Sequence, residues 1–281
     1  MALERNMAQL EAYKQQQTEE QSKLKERMGK IRHKIAIISG KGGVGKSTVT
    51  VNLAAAFAEK GFKVGVLDAD IHGPSVPKLL GVEGQTARTT SVGVLPVAGP
   101  LGMEVMSIDF FLPEQAPTIW RGPLKMRAIR QFLVDIVWGE LDFLFIDLPP
   151  GTGDEPLSIA QLLPELDGVV IVTMPTGLSS SVVKKAITFA ERLNMPIIGV
   201  IENMSGFICS HCGQKTEIFG SGGGEKMSGE VGVPFLGSIP IDPKIGVDSD
   251  KGHPFVIAHK DSVATKAFME IVKKVEVFLK K

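Results

Sequence analysis

The stretch SGKGGVGKST, at residues 39–48, decides the fold of this chain. The apolar run IAIIS (35–39) leads into it, and the segment STVTVNLAAAFAEKG (47–61) continues from it with apolar residues at helical spacing. A glycine-rich turn between a strand and a helix, ending in lysine and serine, fits the pattern G-x-x-x-x-G-K-[ST]. In that pattern, backbone N–H groups and the positive end of the helix surround phosphate oxygens. The stretch therefore predicts a phosphate-binding loop.

The residue types at the end of this loop indicate their roles. We expect Lys46 to contact the β and γ phosphates of ATP and the Ser47 hydroxyl to ligate Mg²⁺. A chance glycine-rich turn is the alternative, but the strand before the loop and the helix after it favour the phosphate site. The predicted nucleotide-binding residues of the loop are Gly40, Gly42, Gly43, Val44, Gly45, Lys46, Ser47 and Thr48.

Five further apolar runs resemble the one that precedes the loop. They are rich in β-branched residues and show little polar alternation, which is typical of strands buried on both faces of a parallel sheet. Helical segments separate them, so the sequence predicts an α/β fold with a doubly wound, mostly parallel sheet and helices on both faces. The runs are VGVLD (64–68), FLFID (143–147), GVVIVT (168–173), IIGVIEN (197–203) and FLGSIP (235–240).

Composition narrows the class of protein. The 281 residues contain 31 Lys plus Arg and 31 Asp plus Glu, so no net charge attracts nucleic acid or an anionic surface. No secretory signal is apparent at the start, and no apolar run approaches the ~20 residues of a membrane span. We therefore expect a cytoplasmic protein without a membrane or nucleic-acid partner. In that compartment the only two cysteines, Cys209 and Cys212, are expected to bind metal or to act as a redox pair.

Carboxylates follow two of the predicted strands. LDADIHGPS (67–75) contains Asp68 and Asp70, and FIDLPPGTGD (145–154) contains Asp147. An aspartate that closes a buried strand near a phosphate loop lies in range of the Mg²⁺ shell, so Asp147 is expected there and Asp70 is expected to orient the attacking water. Helix capping by strand-end aspartates is the alternative. The prolines and glycines of 149–153 are typical of a switch loop that responds to the γ phosphate.

A second lysine in the loop carries the first resemblance. Lys41 stands at the position of the signature lysine in the deviant Walker A ATPases, a group that includes MinD and the nitrogenase iron protein. The resemblance implies a nucleotide-dependent homodimer in which Lys41 reaches the partner's ATP. Such a cation supplied in trans would stabilise charge on the transferring phosphoryl group, together with Lys46.

The chain as a whole resembles the Mrp/ApbC family of iron–sulfur cluster carrier ATPases. The matching stretches cover most of residues 35–245 in order: GKGGVGKST, DADIHGPS, WRGP (120–123), WGELDFLFIDLPPGTGDE (138–155), ENMSGFICSHCG (202–213), FGSGGGEKMS (219–228) and GSIPIDP (237–243). The resemblance implies a single P-loop ATPase domain at 35–281 with a CxxC insertion near 205–213, preceded by a polar, partly helical extension at 1–34. It also implies that Asn203, Pro240 and Asp242 contact adenine.

For the cysteines, the resemblance implies a 4Fe–4S cluster that is delivered to apo iron–sulfur proteins with slow ATP hydrolysis. Such a cluster needs four protein ligands and one chain has two thiolates, so two copies at a two-fold axis would complete it. Three alternatives stay open: an intrachain zinc site with His211 that staples an ATPase regulator, a redox dithiol, and a MinD-like positioning ATPase that cycles on membranes. The last would use the apolar face of 263–281. The segment GSGGGEKMSG (220–229) is expected to be a mobile connector.

Overall fold

The computed structural model describes residues 2–71, 73–111, 122–163, 165–176, 179–209 and 211–280. Its helices are α1 Ala2–Met28, α2 Lys46–Glu59, α3 Val76–Leu79, α4 Gly122–Asp135, α5 Asp154–Leu162, α6 Ser179–Arg192, α7 Gly223–Val231, α8 Pro243–Asp250, α9 Phe255–Ala258 and α10 Val263–Leu279. Its strands are β1 Ile31–Ile38, β2 Val64–Asp68, β3 Arg88–Thr90, β4 Gly93–Leu95, β5 Val97–Ala98, β6 Glu104–Ser107, β7 Leu141–Asp147, β8 Gly168–Thr173, β9 Ile197–Glu202, β10 Phe207–Ile208, β11 Lys215–Thr216 and β12 Phe235–Ser238.

Eight of these strands form one sheet in the order β12-β9-β8-β1-β7-β2-β6-β5. All neighbours are parallel except β5 and β6. This confirms the predicted α/β class with a mostly parallel sheet. Because β1, β2, β7 and β9 run in the same direction, the loops after them emerge at one edge of the sheet, where ligands bind in open α/β folds.

The core supports the predicted strands. Strands β2 and β8 are buried along their whole length, as continuous apolar runs require. Helix α2 covers the sheet beside β7, where the ring of Phe57 lies 4.4 Å from that of Phe143 and 5.4 Å from that of Phe145, centroid to centroid. This packing fixes the helix that follows the phosphate loop against the central strands.

The N-terminal part of the sheet begins earlier than the boundary expected at residue 35. Strand β1 starts at Ile31, which pairs with Leu141, and Lys34 is buried with its backbone paired to Leu144. The polar residues between them hide this half of the strand from a pattern search. The last turn of α1 also joins the fold, because the Arg27 guanidinium donates to carbonyl oxygens that include Ile136 O at 3.0 Å.

The C-terminal helix α10 packs against β12 and α2. Phe268, Ile271, Val272 and Val275 are buried there, whereas Val263 stays about half exposed. The fold therefore covers most of the apolar face that a membrane-cycling ATPase would need. Among the described residues, no helix is both long enough and apolar enough to cross a membrane.

Candidate functional site

The phosphate loop surrounds a cleft of about 290 Å³ at the carboxyl end of β1. Gly43 and Gly45 have φ angles of 77° and 78°, a left-handed conformation that strains residues with a side chain. Helix α2 begins at Lys46, so its free N–H groups point toward the loop. The cleft is lined by Ser39, Gly42, Gly43, Val44, Gly45, Lys46, Ser47, Thr48, Asp70, Ser75, Leu79 and Pro150.

Asn203, directly after β9, holds this loop from two strands away, because β8 lies between β9 and β1 in the sheet. Its side-chain Nδ2 donates to the Val44 carbonyl oxygen at 2.9 Å, and the residue is 6% exposed. A Cβ on Gly45 would lie only 2.3 Å from the same nitrogen. Gly45 is therefore required by its φ angle and by the close approach of Asn203, and the second reason was invisible in the sequence.

Asp147 is the centre of a buried polar network beneath the loop. Its carboxylate is fully buried and accepts hydrogen bonds from Ser47 Oγ at 2.6 Å and from Thr50 Oγ1 at 2.7 Å. Lys46 Nζ lies 2.7 Å from its Oδ2 oxygen and is itself nearly buried. The structure thus brings together three residues predicted from two separate segments: Lys46 and Ser47 of the phosphate loop, and Asp147 at the end of β7. Thr50 was not predicted, because a threonine inside a helix carries no signal of its own.

The donors in this network suit a Mg²⁺ ion. A hydroxyl and a carboxylate 2.6 Å apart are hard oxygen donors, which Mg²⁺ prefers in nucleotide sites. Ser47 would ligate the ion, and Asp147 would hold the Ser47 hydroxyl and the water around the ion. The Lys46 ammonium group compensates the buried Asp147 charge.

The two aspartates after β2 have different environments. Asp70 lines the cleft, and its Oδ1 accepts the Gly73 N–H at 3.2 Å. Asp68 is buried and accepts the N–H groups of Ser75 and Val76, each at 3.0 Å. Burial, together with the nearby Asp147 charge, raises the pKa of Asp68 to about 8. Asp68 therefore supports the turn into α3, whereas Asp70 lines the phosphate cleft.

Lys41 differs from the rest of the loop. The lining of the cleft runs from Gly42 to Thr48 and does not include Lys41, although the Lys41 carbonyl oxygen accepts from Ser39 Oγ at 2.9 Å. Its ammonium group has no hydrogen-bond or ion-pair partner among the residues that the structure describes.

The predicted switch loop lies against the phosphate loop. The Gly151 N–H donates to the Ser39 carbonyl oxygen at 2.8 Å, and Pro150 lines the cleft. Gly151 has a φ of 94°, which favours glycine at this turn. Movement of this segment would alter the hydrogen bond between Gly151 and Ser39 at the start of the phosphate loop.

The three predicted adenine contacts lie outside this lining. Of the described residues that line the phosphate cleft, none is Asn203, Pro240 or Asp242. Pro240 and Asp242 line a separate cavity of about 410 Å³ beside the base of β10. The Asp242 carboxylate caps α8 by accepting the Lys244 N–H at 3.0 Å.

The cysteines occupy the tip of a small hairpin formed by β10 and β11. Cys209 N–H donates to Gln214 O at 3.0 Å, and Gly213 N–H donates to Cys209 O at 2.8 Å, which folds the CxxC segment into a tight turn. Both thiols are free, and Cys212 is exposed. Hydrogen bonds from the backbone of Cys212 and His211 lower the pKa of Cys209. Among the described residues, no group of three or more His, Cys, Asp or Glu side chains forms a metal site.

The glycine-rich segment after the hairpin is not simply a connector. Its second half forms α7, and its glycines bond to the buried carboxylate of Glu202 at the end of β9. Sequence reasoning missed Glu202 because a single acidic residue at a strand end shows no partner in the sequence.

Comparison with known proteins identifies the family. The family model described as "ParA: NUBPL iron-transfer P-loop NTPase" matches residues 30–276. The chain belongs to this family. The resemblance to iron–sulfur carrier ATPases is thereby confirmed, and the chain is a P-loop NTPase.

Curated members of the family are similar over most of their length. A protein of Methanocaldococcus jannaschii named "Iron-sulfur cluster carrier protein" is 56% identical over 258 residues, which cover 92% of this chain and 88% of the relative. A protein of the same name from Saccharolobus solfataricus is 54% identical over 254 residues, covering 90% and 86%.

Solved structures agree with the fold. A nucleotide-binding protein of Archaeoglobus fulgidus in complex with ADP is 45% identical, with a TM-score of 0.75 over 83% of this chain and 92% of that one. The septum site-determining protein MinD of Pyrococcus horikoshii, complexed with Mg-ADP, is 23% identical, with a TM-score of 0.64 over 87% and 96%. The second similarity concerns the fold alone.

Proposed function

We propose that this P-loop NTPase is an ATP-dependent carrier of a 4Fe–4S cluster. As a homodimer it would hold the cluster between two CxxC hairpins and deliver it to apo iron–sulfur proteins. The observation that carries the proposal is the pair of free thiols, Cys209 and Cys212, in one tight turn. They are the only two cysteines in the sequence of this family member. Two thiolates per chain supply half of the ligands that a cubane cluster requires.

The chemistry of the hairpin supports cluster binding. A thiolate is the form of cysteine that binds metal, and the backbone N–H groups of the CxxC turn favour it by lowering the pKa of Cys209. The exposure of Cys212 leaves the pair accessible to a second copy of the chain. Symmetric pairing of two hairpins would give four sulfur ligands.

The nucleotide part of the proposal rests on the network beneath the phosphate loop. ATP phosphates would bind the loop N–H groups and Lys46, which would exchange its ion pair with Asp147 for phosphate oxygens. A Mg²⁺ ion bound by Ser47 would supply charge neutralisation of the phosphates. Because Asp147 holds the Ser47 hydroxyl at 2.6 Å, its carboxylate would orient that ligand.

Hydrolysis would use two further residues. Asp70 lines the cleft and would orient the attacking water, and Lys41 of one copy would contact the phosphates bound by the other. The absence of Lys41 from the lining of its own cleft supports the contribution in trans. We expect hydrolysis to be slow, since a switch between two states needs few turnovers. Adenine recognition by Asn203, Pro240 and Asp242 stays a prediction.

The test is metal analysis of protein purified without oxygen and reconstituted with iron and sulfide. About four irons and four sulfides per dimer, with the visible absorption of a cubane cluster, are expected. The matched control is the Cys209→Ala, Cys212→Ala double variant, which should keep ATP affinity and load no cluster. A stoichiometric cluster in that variant would refute the ligand assignment, and zinc alone in the wild type would favour a zinc-stapled regulator instead.

A further inference from the structure

Both cysteines lie in one excursion of the chain, residues 206–221, which leaves the sheet after β9 and returns at α7. We name this segment the cysteine excursion. Its hairpin consists of two strands of two residues each, and so short a hairpin is not stable by itself. Outside the hairpin, the Gly206 carbonyl oxygen accepts the Ile241 N–H at 2.8 Å and Phe207 forms a bridge to Ile241. The position of the hairpin relative to the sheet therefore depends on this contact and on what holds the two ends of the excursion.

One buried carboxylate contacts both ends. Glu202, the last residue of β9, is fully buried. At the entry to the cysteine excursion, its Oε1 accepts from Ser205 Oγ at 2.5 Å. At the exit, Oε1 accepts the Gly222 N–H at 2.9 Å and Oε2 accepts the Gly224 N–H at 2.5 Å. We name these four groups the carboxylate clamp.

The glycines at the exit are needed for this contact. A Cβ on Gly224 would lie 3.0 Å from Glu202 Cβ and 3.1 Å from Glu202 Oε2, and a Cβ on Gly223 would lie 2.6 Å from the Pro175 carbonyl oxygen. Gly222 has a φ of 76°. The glycine run thus lets the start of α7 approach Glu202 and the backbone after β8 closely. A carboxylate at a helix N-terminus is also favoured by the helix dipole.

The same strand end holds the phosphate loop. Asn203 follows Glu202 directly and donates to Val44 O of the phosphate loop at 2.9 Å. Backbone bonds from Ile239 N to Glu202 O at 2.8 Å and from Ser205 N to Ile239 O at 2.9 Å keep this segment rigid between the two contacts. Two adjacent side chains therefore reach the nucleotide site and the cysteine excursion from one strand terminus.

We propose that Glu202 is a positioning residue that couples the phosphate loop to the cysteine excursion through the carboxylate clamp. The proposal rests on the proposed function, since it assigns a means by which ATP would alter the cluster site. Filling the phosphate loop acts on Asn203 through Val44, and the clamp transmits the position of that strand end to both ends of the excursion.

The clamp depends on an acceptor-only group. A carboxylate accepts at both oxygens, whereas the amide of glutamine must direct N–H donors at one of the sites where Gly222 and Gly224 also donate. Glu202→Gln keeps the size of the side chain but places an amide N–H group against the Gly222 or the Gly224 N–H group. The hydrogen bond at that end of the clamp is then lost. Ser205→Ala removes a single donor at the entry and leaves the carboxylate in place.

The experiment measures the maleimide labelling rates of Cys209 and Cys212 in cluster-free protein, with and without ATP and Mg²⁺. In the wild type we expect ATP to change these rates by about fivefold or more, the lower range of coupling between sites. Glu202→Gln should reduce the effect of ATP on the labelling rates to less than about twofold, while the dissociation constant for ATP stays within about threefold of the wild-type value. The coupling between the two sites and the affinity of the ATP site are separate quantities, so one can change without the other. The matched control is Glu225→Gln, an exposed glutamate in the first turn of the same helix α7.

Several results would overturn the proposal. These are a wild type whose cysteines do not respond to ATP, a Glu202→Gln variant that responds as the wild type does, and a Glu225→Gln variant that loses the response equally. If Glu202→Gln does not fold, Ser205→Ala provides the test and should show a reduced response; a full response there counts against the clamp. Because no cluster is present, this outcome is independent of whether the thiols load iron and sulfide.

Discussion

Replacement of Gly45 by alanine tests whether Asn203 shapes the phosphate loop. Two costs are expected for Gly45→Ala. The φ of 78° costs alanine about 1–2 kcal/mol in the left-handed region. A Cβ placed 2.3 Å from Asn203 Nδ2 also displaces that amide from Val44 O, and an unpaired buried group costs about 1–3 kcal/mol. The free energy of unfolding should therefore fall by about 2–5 kcal/mol.

A double-mutant cycle separates these two costs. Asn203→Ala alone removes the bond to Val44 and should cost about 1–3 kcal/mol. Once the Asn203 amide is gone, the methyl group added by Gly45→Ala no longer meets it, so the double variant should be more stable than the sum of the single effects by about 1–3 kcal/mol. The measurement is urea unfolding of the protein without added nucleotide, followed by circular dichroism. The variants should show the same m-value as the wild type, so that shifts of the midpoint report stability alone.

Gly43→Ala provides the matched control for this cycle. Gly43 has nearly the same φ, 77°, but among the residues that the structure describes, apart from its chain neighbours, no atom lies within 4 Å of a Cβ built on it. Gly43→Ala should therefore cost only about 1–2 kcal/mol and should be additive with Asn203→Ala. Additivity within about 0.5 kcal/mol for Gly45→Ala and Asn203→Ala would refute the steric argument.

Three further variants test the site. Lys46→Ala should abolish ATP binding measured by calorimetry, because the cation in the cleft is lost; retained binding would contradict its role. Lys41→Ala should keep ATP binding and lose hydrolysis, measured as phosphate release, and normal hydrolysis would exclude the contribution in trans. The pKa of Asp68 is raised from 3.8 to about 8, so between these pH values the folded protein holds a proton that the unfolded chain has lost. The free energy of unfolding should therefore fall as pH rises through that range, by up to about 1.4 kcal/mol per pH unit. Asp68→Asn should flatten this part of the pH profile of urea unfolding, and parallel profiles would contradict the assignment.

The strands that the sequence predicted are those whose residues are mostly apolar. Strands β2 and β8 match the predicted runs residue for residue, because burial on both faces keeps them apolar up to their last residues, Asp68 and Thr173. Strand β6 has only four residues, and the hairpin of β10 and β11 has two residues in each strand. Such short elements carry no periodicity, so their pairing depends on the larger sheet beside them.

The phosphate loop was the most local part of the site and the easiest to predict. Its glycines, Lys46 and Ser47 act within one turn, so their spacing along the chain already describes their spacing in space. Asp147 could be added because a strand-end position places a carboxylate at the edge of the sheet where the loop lies. Its hydrogen-bond partners, Ser47 and Thr50, needed coordinates.

By itself, the sequence determined the fold class, the phosphate loop and the pair of cysteines, because each is encoded by neighbouring residues. Only the tertiary structure decided that Asn203 holds the phosphate loop and that Glu202 closes the base of the cysteine excursion. The physical reason is that a buried amide or carboxylate takes its role from its hydrogen-bond partners. The hydrogen-bond partners of Glu202 at the exit of the cysteine excursion are Gly222 and Gly224. The partner of Asn203 is Val44, in the phosphate loop that follows β1.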